Sequence, residues 1–188
     1  REETLKNYVK KFTNKEVIKA VDPTLLLDVE DYNELVEKNK INEKYLLIYA
    51  LGPDSRLKEI AEKKAKEKNL KIYEINDFKE KNHFCTQISN ASPNDFITLF
   101  KNADCVVTNS FHGTIFSIIF EKDFYTITRL NRNSRMENLL SITNISDRLI
   151  ENVEDIDKIK EIDYKVAKEN LKKEVSKSKD FLNNAIFS

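Results

Sequence analysis

The sequence predicts an α/β domain built on a Rossmann-like parallel sheet that is flanked by helices. Short apolar runs alternate with longer amphipathic stretches along the chain, which is typical of alternating strands and helices. The runs are apolar throughout, as expected of strands that are buried on both faces of a sheet. With 188 residues and 40% hydrophobic content, the chain suits one core, so residues 1–188 are predicted to form a single domain.

The first segment predicts an amphipathic helix. Its apolar residues recur at helical spacing, at Leu5, Tyr8, Val9 and Phe12. Because this pattern begins almost at the first residue and no methionine precedes it, we expect the chain to be a fragment of a longer protein. Pro23 prevents a helix from continuing into the apolar residues 25–27, and a short helix is predicted over residues 31–38.

The strands of the sheet are predicted from four apolar runs. These runs cover residues 45–50, 70–75, 104–108 and 124–128. Residues 76–92 show neither the strand nor the helix pattern, so we expect them to form a loop on the surface.

The helices between these strands are predicted from caps and periodicity. Ser55 is predicted to cap the helix after the first strand, and Ser92-Pro93 to open the helix before the third. Residues 113–120 are mostly apolar, which predicts a helix buried against the sheet. A short helix around Met136 and a long C-terminal helix within residues 160–188 complete the predicted domain.

Composition excludes several classes of function. Lys+Arg and Asp+Glu both total 32, so no overall field would attract nucleic acid, and no nucleic-acid partner is expected. Cys85 and Cys105 do not lie at metal-ligand spacing from His83 or His112, which predicts reduced packing thiols and no metal. No apolar run approaches the ~18 residues that a transmembrane helix needs. We therefore expect a cytoplasmic protein, with peripheral attachment to the inner face of the membrane as the alternative.

The functional centre is predicted in residues 106–114, where the third strand turns into a helix. In an open parallel sheet, ligands bind beyond the carboxyl ends of the strands. The first N–H groups and the dipole of a helix favour phosphate or carboxylate. Gly113, one of only two glycines, permits close approach of the backbone to a ligand. The predicted substrate-binding residues of this turn are Asn109, Ser110, Phe111, Gly113 and Thr114.

His112 is the predicted catalytic residue of this turn. Histidine exchanges protons near neutral pH, so His112 is suited to hydrogen bonding, to carrying positive charge and to general acid catalysis. The alternative is a structural histidine that is bonded to a backbone carbonyl. His112 lies at a strand end, with Asn109 and Ser110 before it and Gly113 after it. This position favours a role in binding or catalysis over a purely structural one.

These same residues carry a resemblance to a known family. Residues 106–120, followed by Asp123-Phe124, resemble the signature of the polysaccharide pyruvyl transferases. The segments around them, at 92–96 and 134–140, are similar to the family as well. Residues 1–4 and 21–26 resemble two earlier landmarks, so the resemblance extends over about residues 1–150.

The resemblance implies the C-terminal lobe of a two-lobed, GT-B-like transferase. The partner lobe, which precedes this one in the same protein, would supply the family's catalytic carboxylate. The implied reaction transfers a pyruvyl group from phosphoenolpyruvate, the donor substrate, to a sugar of a cell-surface polysaccharide, and no cofactor is implied. His112 would contact the donor and assist proton transfer, and Arg1 would match the family's donor-binding arginine.

The chain departs from the family at one position of the motif. Many relatives have Arg-Leu-His-Gly where this chain has Ser110-Phe111-His112-Gly113, so an arginine is absent. Phosphoenolpyruvate carries a phosphate and a carboxylate, and both groups suit bidentate arginine. Arg129, Arg132 or Arg135 is expected to supply the charge, with Arg135 best placed by the motif, unless the donor differs or these arginines only form surface ion pairs.

Two other functions are consistent with the sequence. A GT-B glycosyltransferase would hold the diphosphate of a nucleotide sugar at the same turn and bind ribose with a downstream acid, but no convincing glutamate follows the turn. A non-catalytic module for saccharide assembly is made plausible by the absent arginine.

Overall fold

The protein, in a computed structural model that describes residues 3–76, 83–129 and 133–187, is a sheet with helices on both faces. Its strands are β1 (Tyr45–Tyr49), β2 (Lys71–Ile75), β3 (Thr86–Ile88), β4 (Cys105–Thr108), β5 (Asp123–Ile127) and β6 (Leu149–Ile150). All five neighbouring pairs are parallel, and the strand order is β3-β2-β1-β4-β5-β6. This is the order of the doubly wound dinucleotide-binding fold, so the predicted Rossmann-like class is confirmed.

The helices alternate with the strands as predicted. They are α1 (Glu3–Val9), α2 (Val29–Asn33), α3 (Ser55–Lys68), α4 (Pro93–Asn102), α5 (Phe111–Ile119), α6 (Ser134–Ile142) and α7 (Tyr164–Phe187). Short 3-10 helices cover Pro23–Leu26, Ser146–Arg148 and Val153–Lys158. None of these described helices combines the length and the apolar character that crossing a membrane requires.

The core lies in two layers, one on each face of the sheet. On one face, Leu47, Val106 and Phe124 stand in register on neighbouring strands, and helices α4 to α7 cover them. On the other face, Ile48 and Val107 pack against α3 and the 3-10 helix of residues 153–158. Both faces of β1 and β4 are therefore buried, which explains why these strands are apolar throughout.

Two strands are missing from the sequence prediction. Residues 76–92 were expected to be a loop, but Thr86–Ile88 pairs with β2 at one edge of the sheet. Leu149–Ile150 pairs with β5 at the other edge. Runs of three and two residues are too short to show a periodicity, and the residues of β3 are only partly buried.

Two helix starts also differ from the prediction. Ser55 does not cap α3; it is the first helical residue, and the carboxylate of Asp54 caps the helix by accepting the N–H of Arg56 at 3.1 Å. The helix predicted over residues 31–38 instead covers Val29–Asn33. Asp31 accepts the N–H of Asp28 at 2.8 Å, which starts the helix two residues before the predicted position.

The apolar stripe of the first segment lies on the surface. Helix α1 includes the predicted Leu5 and Val9, but it ends before Phe12. The exposed fraction is 54% for Leu5 and 72% for Phe12, so this stripe adds little to the core of the described chain.

Candidate functional site

The turn between β4 and α5 lies at the topological switch point of the sheet. β1 and β4 are neighbours, but the chain leaves β1 toward β2 and leaves β4 toward β5, so a crevice opens between their carboxyl ends. Two hydrogen bonds join the two strand ends. The hydroxyl of Thr108 donates to the carbonyl of Tyr49 at 2.6 Å, and the N–H of Leu51 donates to Oδ1 of Asn109 at 2.7 Å.

A close contact inside the protein explains the glycine of the turn. A Cβ atom on Gly113 would lie 2.3 Å from Oγ1 of Thr108, far inside the van der Waals distance. Helix α5 therefore approaches β4 as closely as it does because residue 113 has no side chain. In the described structure the close approach is to Thr108, and an approach to a ligand stays a prediction.

The buried polar side chains of the turn build its framework. Ser110 is the N-cap of α5; its hydroxyl accepts the N–H of Gly113 at 3.4 Å, and its own N–H donates to Thr108 Oγ1 at 3.0 Å. Thr114 donates to the carbonyl of Ser110 at 3.0 Å and lies 2.9 Å from the hydroxyl of Thr126. These hydroxyls shape the helix start, and direct contact of Asn109, Ser110 or Thr114 with a substrate stays a prediction.

The helix start itself offers donors to an anion. Helix α5 begins at Phe111, so Phe111 and His112 occupy its first turn instead of the loop that precedes it. The first N–H groups of a helix have no acceptor within the helix. Those of Phe111 and His112 are thus directed out of the end of α5, and the helix dipole adds to their attraction for an anion.

His112 presents its side chain at the surface next to a buried carboxylate. Half of the side chain, 50%, is exposed, and Nε2 lies 3.9 Å from Oδ1 of Asp22, whose side chain is only 1% exposed. Asp22 is a residue that was not predicted for this site. The signal for it was indirect, because Asp22 falls in the segment 21–26 that resembles a family landmark.

The position of Asp22 is determined by contacts on both sides of it in the chain. Its Oδ1 accepts the N–H and the hydroxyl of Thr24, at 3.1 and 2.8 Å, and so caps the 3-10 helix of Pro23–Leu26. The N–H of Val21 donates to the hydroxyl of Ser178 at 3.0 Å, which ties the segment to α7. The carboxylate is therefore held rigidly at the start of α5.

Two cationic side chains, Lys19 and Arg135, line a cavity together with Asp22. The guanidinium of Arg135 stacks over the ring of Phe111, 4.9 Å from its centre, and Nζ of Lys19 donates to Asn138 at 3.1 Å. Lys19, Asp22, Phe111 and Arg135 line a common cavity of about 30 Å³. Arg135 thus lies beside Phe111 of the turn, and its contact with a substrate stays a prediction.

The other predicted arginines contribute differently. The backbone N–H of Arg129 donates to Oδ1 of Asn133 at 2.6 Å. Arg1 and Arg132 lie outside the described residues. Arg56, which was not predicted, joins three strand ends, because it bonds Asp54 and the carbonyls of Thr128 and Glu151 at 2.7 to 3.0 Å.

Neither cysteine belongs to this turn. Burial, with Glu74 nearby, raises the pKa of the Cys85 thiol to about 12, so it is protonated at neutral pH. Cys105 is fully buried in β4, and burial raises the pKa of its thiol too. Within the residues that the structure describes, no cluster of three or more His, Cys, Asp and Glu side chains is arranged to hold a metal ion.

Solved structures share the fold. The chain is similar to UDP-GlcNAc 2-epimerase from Methanocaldococcus jannaschii in complex with UDP-GlcNAc and UDP, with TM-score 0.58 and 17% identity over 90% of this chain and 52% of that chain. It is also similar to UDP-GlcNAc 2-epimerase from Neisseria meningitidis bound to UDP-GlcNAc, with TM-score 0.52 and 12% identity over 82% and 48%. These identities show a shared, GT-B-like fold alone, and the chain spans about half the length of both proteins.

The family comparison covers most of the chain. No curated protein matches it. The profile named polysaccharide pyruvyl transferase matches residues 1–131 of the 188, a span that contains Asp22 and the whole β4–α5 turn and ends before Arg135. With more than half of its length matched, the chain belongs to the polysaccharide pyruvyl transferase family.

Proposed function

We propose that this chain forms the donor-binding half of a transferase that moves a pyruvyl group from phosphoenolpyruvate to a sugar of a cell-surface polysaccharide. The observation that carries the proposal is the half-exposed His112 in the first turn of α5, beside the stacked pair of Phe111 and Arg135. Family membership supports the reaction class. A second lobe of the same protein would supply the acceptor site, and the cytoplasm would supply the donor.

The site has suitable groups for both anionic ends of the donor. The N–H groups at the start of α5 suit one anionic group, and the planar guanidinium of Arg135 suits the other through two parallel hydrogen bonds. Arg135 stands in for the arginine that relatives carry at the position of Ser110. Ser110 is buried as the N-cap of α5. The positive charge of the site is therefore supplied by Arg135 of α6, which stacks on the ring of Phe111.

The proposed reaction balances without an oxidant or a metal. His112 gives a proton to the methylene carbon of phosphoenolpyruvate, which becomes a methyl group, and positive character develops at the carbon that bears the phosphate. A sugar hydroxyl attacks that carbon, a second hydroxyl of the sugar replaces the phosphate, and a ketal forms. Of the two hydroxyl protons, one restores His112 and the other leaves with inorganic phosphate.

Ligand-dependent stability of the full-length natural protein tests the donor. A ligand that binds only the folded state raises the melting temperature. We expect phosphoenolpyruvate to raise it and UDP-GlcNAc to leave it unchanged. His112→Ala abolishes the shift, whereas His83→Ala, which removes an exposed histidine elsewhere, keeps it. No shift with phosphoenolpyruvate in the wild type would refute the proposal.

The role of Arg135 has a matched control of its own. Arg135→Ala is expected to weaken phosphoenolpyruvate binding about tenfold, in line with the loss of one charge-assisted contact, and Arg135→Lys to recover part of it. Lys58 lies over the ring of Phe84 at 5.1 Å on another part of the surface. Lys58→Ala removes a similar cation–ring pair and should leave binding unchanged.

A nucleotide-sugar transferase is the second candidate, because the fold is shared with proteins solved with UDP-GlcNAc. The first turn of α5 carries no acidic residue to bind a ribose, and the next three positions hold buried Ile115, Phe116 and Ser117. Stabilisation by UDP-GlcNAc alone would favour this candidate. Stabilisation by a saccharide alone, with neither donor bound, would favour a non-catalytic module.

A further inference from the structure

Asp22 and His112 form a pair that the proposed reaction has not yet used. The two side chains come from distant parts of the sequence and meet at the start of α5, 3.9 Å apart. A shift of about 0.7 Å would bring them to the outer end of the usual range of hydrogen-bond distances, ~3.2 Å. The carboxylate approaches Nε2, so Nδ1 is the ring nitrogen that is left to face a ligand.

The buried carboxylate of Asp22 is unexpected at a site that is proposed to bind anions. A negative charge held beside the binding place of phosphate and carboxylate groups repels them, and burial of that charge costs free energy unless a cation or donor compensates it. Asp22 is buried and lies next to the helix start that suits an anion. Lys19 and Arg135 line the same cavity and offset part of this repulsion, and a carboxylate at this place is also suited to act on a side chain that must be positive during the reaction.

We propose that Asp22 is the positioning residue of His112. It accepts a hydrogen bond from Nε2–H, fixes the orientation of the ring and directs the protonated Nδ1 at the methylene carbon of the donor. When Nδ1 gives its proton to that carbon, the imidazolium becomes neutral and keeps its Nε2 proton on Asp22. The catalytic part of this inference rests on the proposed function; the contact between the two side chains does not.

One substitution separates the negative charge of Asp22 from its role as a helix cap. Asp22→Asn keeps an oxygen that accepts the N–H and the hydroxyl of Thr24, so the 3-10 helix keeps its cap, but the negative charge is removed. Asp28→Asn is the matched control. It removes an exposed carboxylate from the same segment at a helix N-cap, where asparagine serves equally well, and Asp28 is absent from the cavity beside His112.

Kinetics of the full-length protein give the first measurement. In Asp22→Asn we expect kcat to fall roughly ten- to a hundredfold, the range for loss of a group that orients a functional side chain, with KM for phosphoenolpyruvate changed less than about threefold. Asp28→Asn keeps both constants. A variant with a lower melting temperature and a raised KM but an unchanged kcat would show that Asp22 only caps the loop, and would overturn the inference.

Magnetic resonance of the imidazole rings gives the second, independent measurement. In protein labelled with ¹⁵N on histidine, the ring signals of His112 are assigned by their loss in His112→Gln. Asp22→Asn is expected to shift those signals and to leave the signals of His83 in place. Unchanged His112 signals would overturn the inference. If phosphoenolpyruvate is not a substrate, the proposed function fails, yet this measurement still decides whether Asp22 acts on His112.

Discussion

Residue 113 has no space for a Cβ atom, because that atom would lie 2.3 Å from Oγ1 of Thr108. The hydroxyl concerned is not free to move away. It donates to the carbonyl of Tyr49 and accepts the N–H of Ser110, so it is held by both neighbouring strand ends. The contact between Gly113 and Thr108 therefore sets how closely α5 and β4 approach each other.

Gly113→Ala tests this contact. We expect the free energy of unfolding to fall by roughly 1–3 kcal/mol, the usual range for overpacking a filled site, as measured by urea denaturation. Thr108→Ala removes the hydroxyl and the methyl group that a Cβ would meet. The double variant should then lose less stability than the sum of the two single variants. If the stability losses of the two single variants simply add up in the double variant, the strain in Gly113→Ala does not come from contact with the Thr108 side chain.

Asn109 offers a way to separate a structural role from a binding role. Asn109→Ala should cost about 1 kcal/mol, because the N–H of Leu51 loses its acceptor. Asn109→Asp keeps an acceptor oxygen for that N–H, but it also buries a carboxylate at a position that is only 3% exposed, so its stability should lie below that of the wild type. If Asn109 faces the donor, the added negative charge should still weaken phosphoenolpyruvate binding about tenfold, as measured by calorimetry. Equal affinity in Asn109→Asp would remove Asn109 from the donor site.

The acid stability of the fold should depend on Asp123. Burial raises the pKa of its carboxyl, but hydrogen bonds from Lys68 and Arg148, both at 2.5 Å, outweigh burial and hold the pKa below its usual value. A pKa that is lower in the folded than in the unfolded state adds stability above the unfolded value of about 3.9, and this stability is lost as the pH falls through the folded value.

Asp123→Asn is therefore expected to be less stable than the wild type at pH 7, and the difference should narrow below about pH 4. Part of the loss at neutral pH comes from Arg148, whose side chain is only 3% exposed and would keep a buried charge without its carboxylate. Urea denaturation between pH 2 and pH 7 measures the difference. Asp155→Asn is the control, because Asp155 lies in an exposed pair with Lys158, and its free energy of unfolding should differ little from that of the wild type at any pH. If the stability difference between Asp123→Asn and the wild type is the same at every pH, the proposed link between the pKa of Asp123 and stability is wrong.

The sheet could be predicted from the sequence where strands are buried on both faces. Tyr45–Tyr49 and Cys105–Thr108 are apolar because α3 covers one side and α4 and α5 the other. The edge strands could not be found this way. Thr86–Ile88 is half-buried and Leu149–Ile150 is two residues long, so neither run has a pattern that differs from a loop.

The site was predictable only in part, for a related reason. His112 and Gly113 follow a strand directly, so their place at the edge of the sheet follows from local sequence. The approach of Asp22 depends on α7, because Val21 is tied to Ser178 at the far end of the chain. Neither the periodicity of the sequence nor the spacing of its motifs indicates a contact between Val21 and Ser178.

The pairing of β1 with β4 also determines when the site can exist during folding. Tyr49 and Thr108 are 59 positions apart, and β2, β3 and α4 lie between them in the chain. Forming a contact of such long range costs entropy, since the chain between the two residues must lose its freedom first. The turn at His112 is therefore complete only after this contact has formed, and a donor that needs the turn can bind only a chain whose central strands have already met.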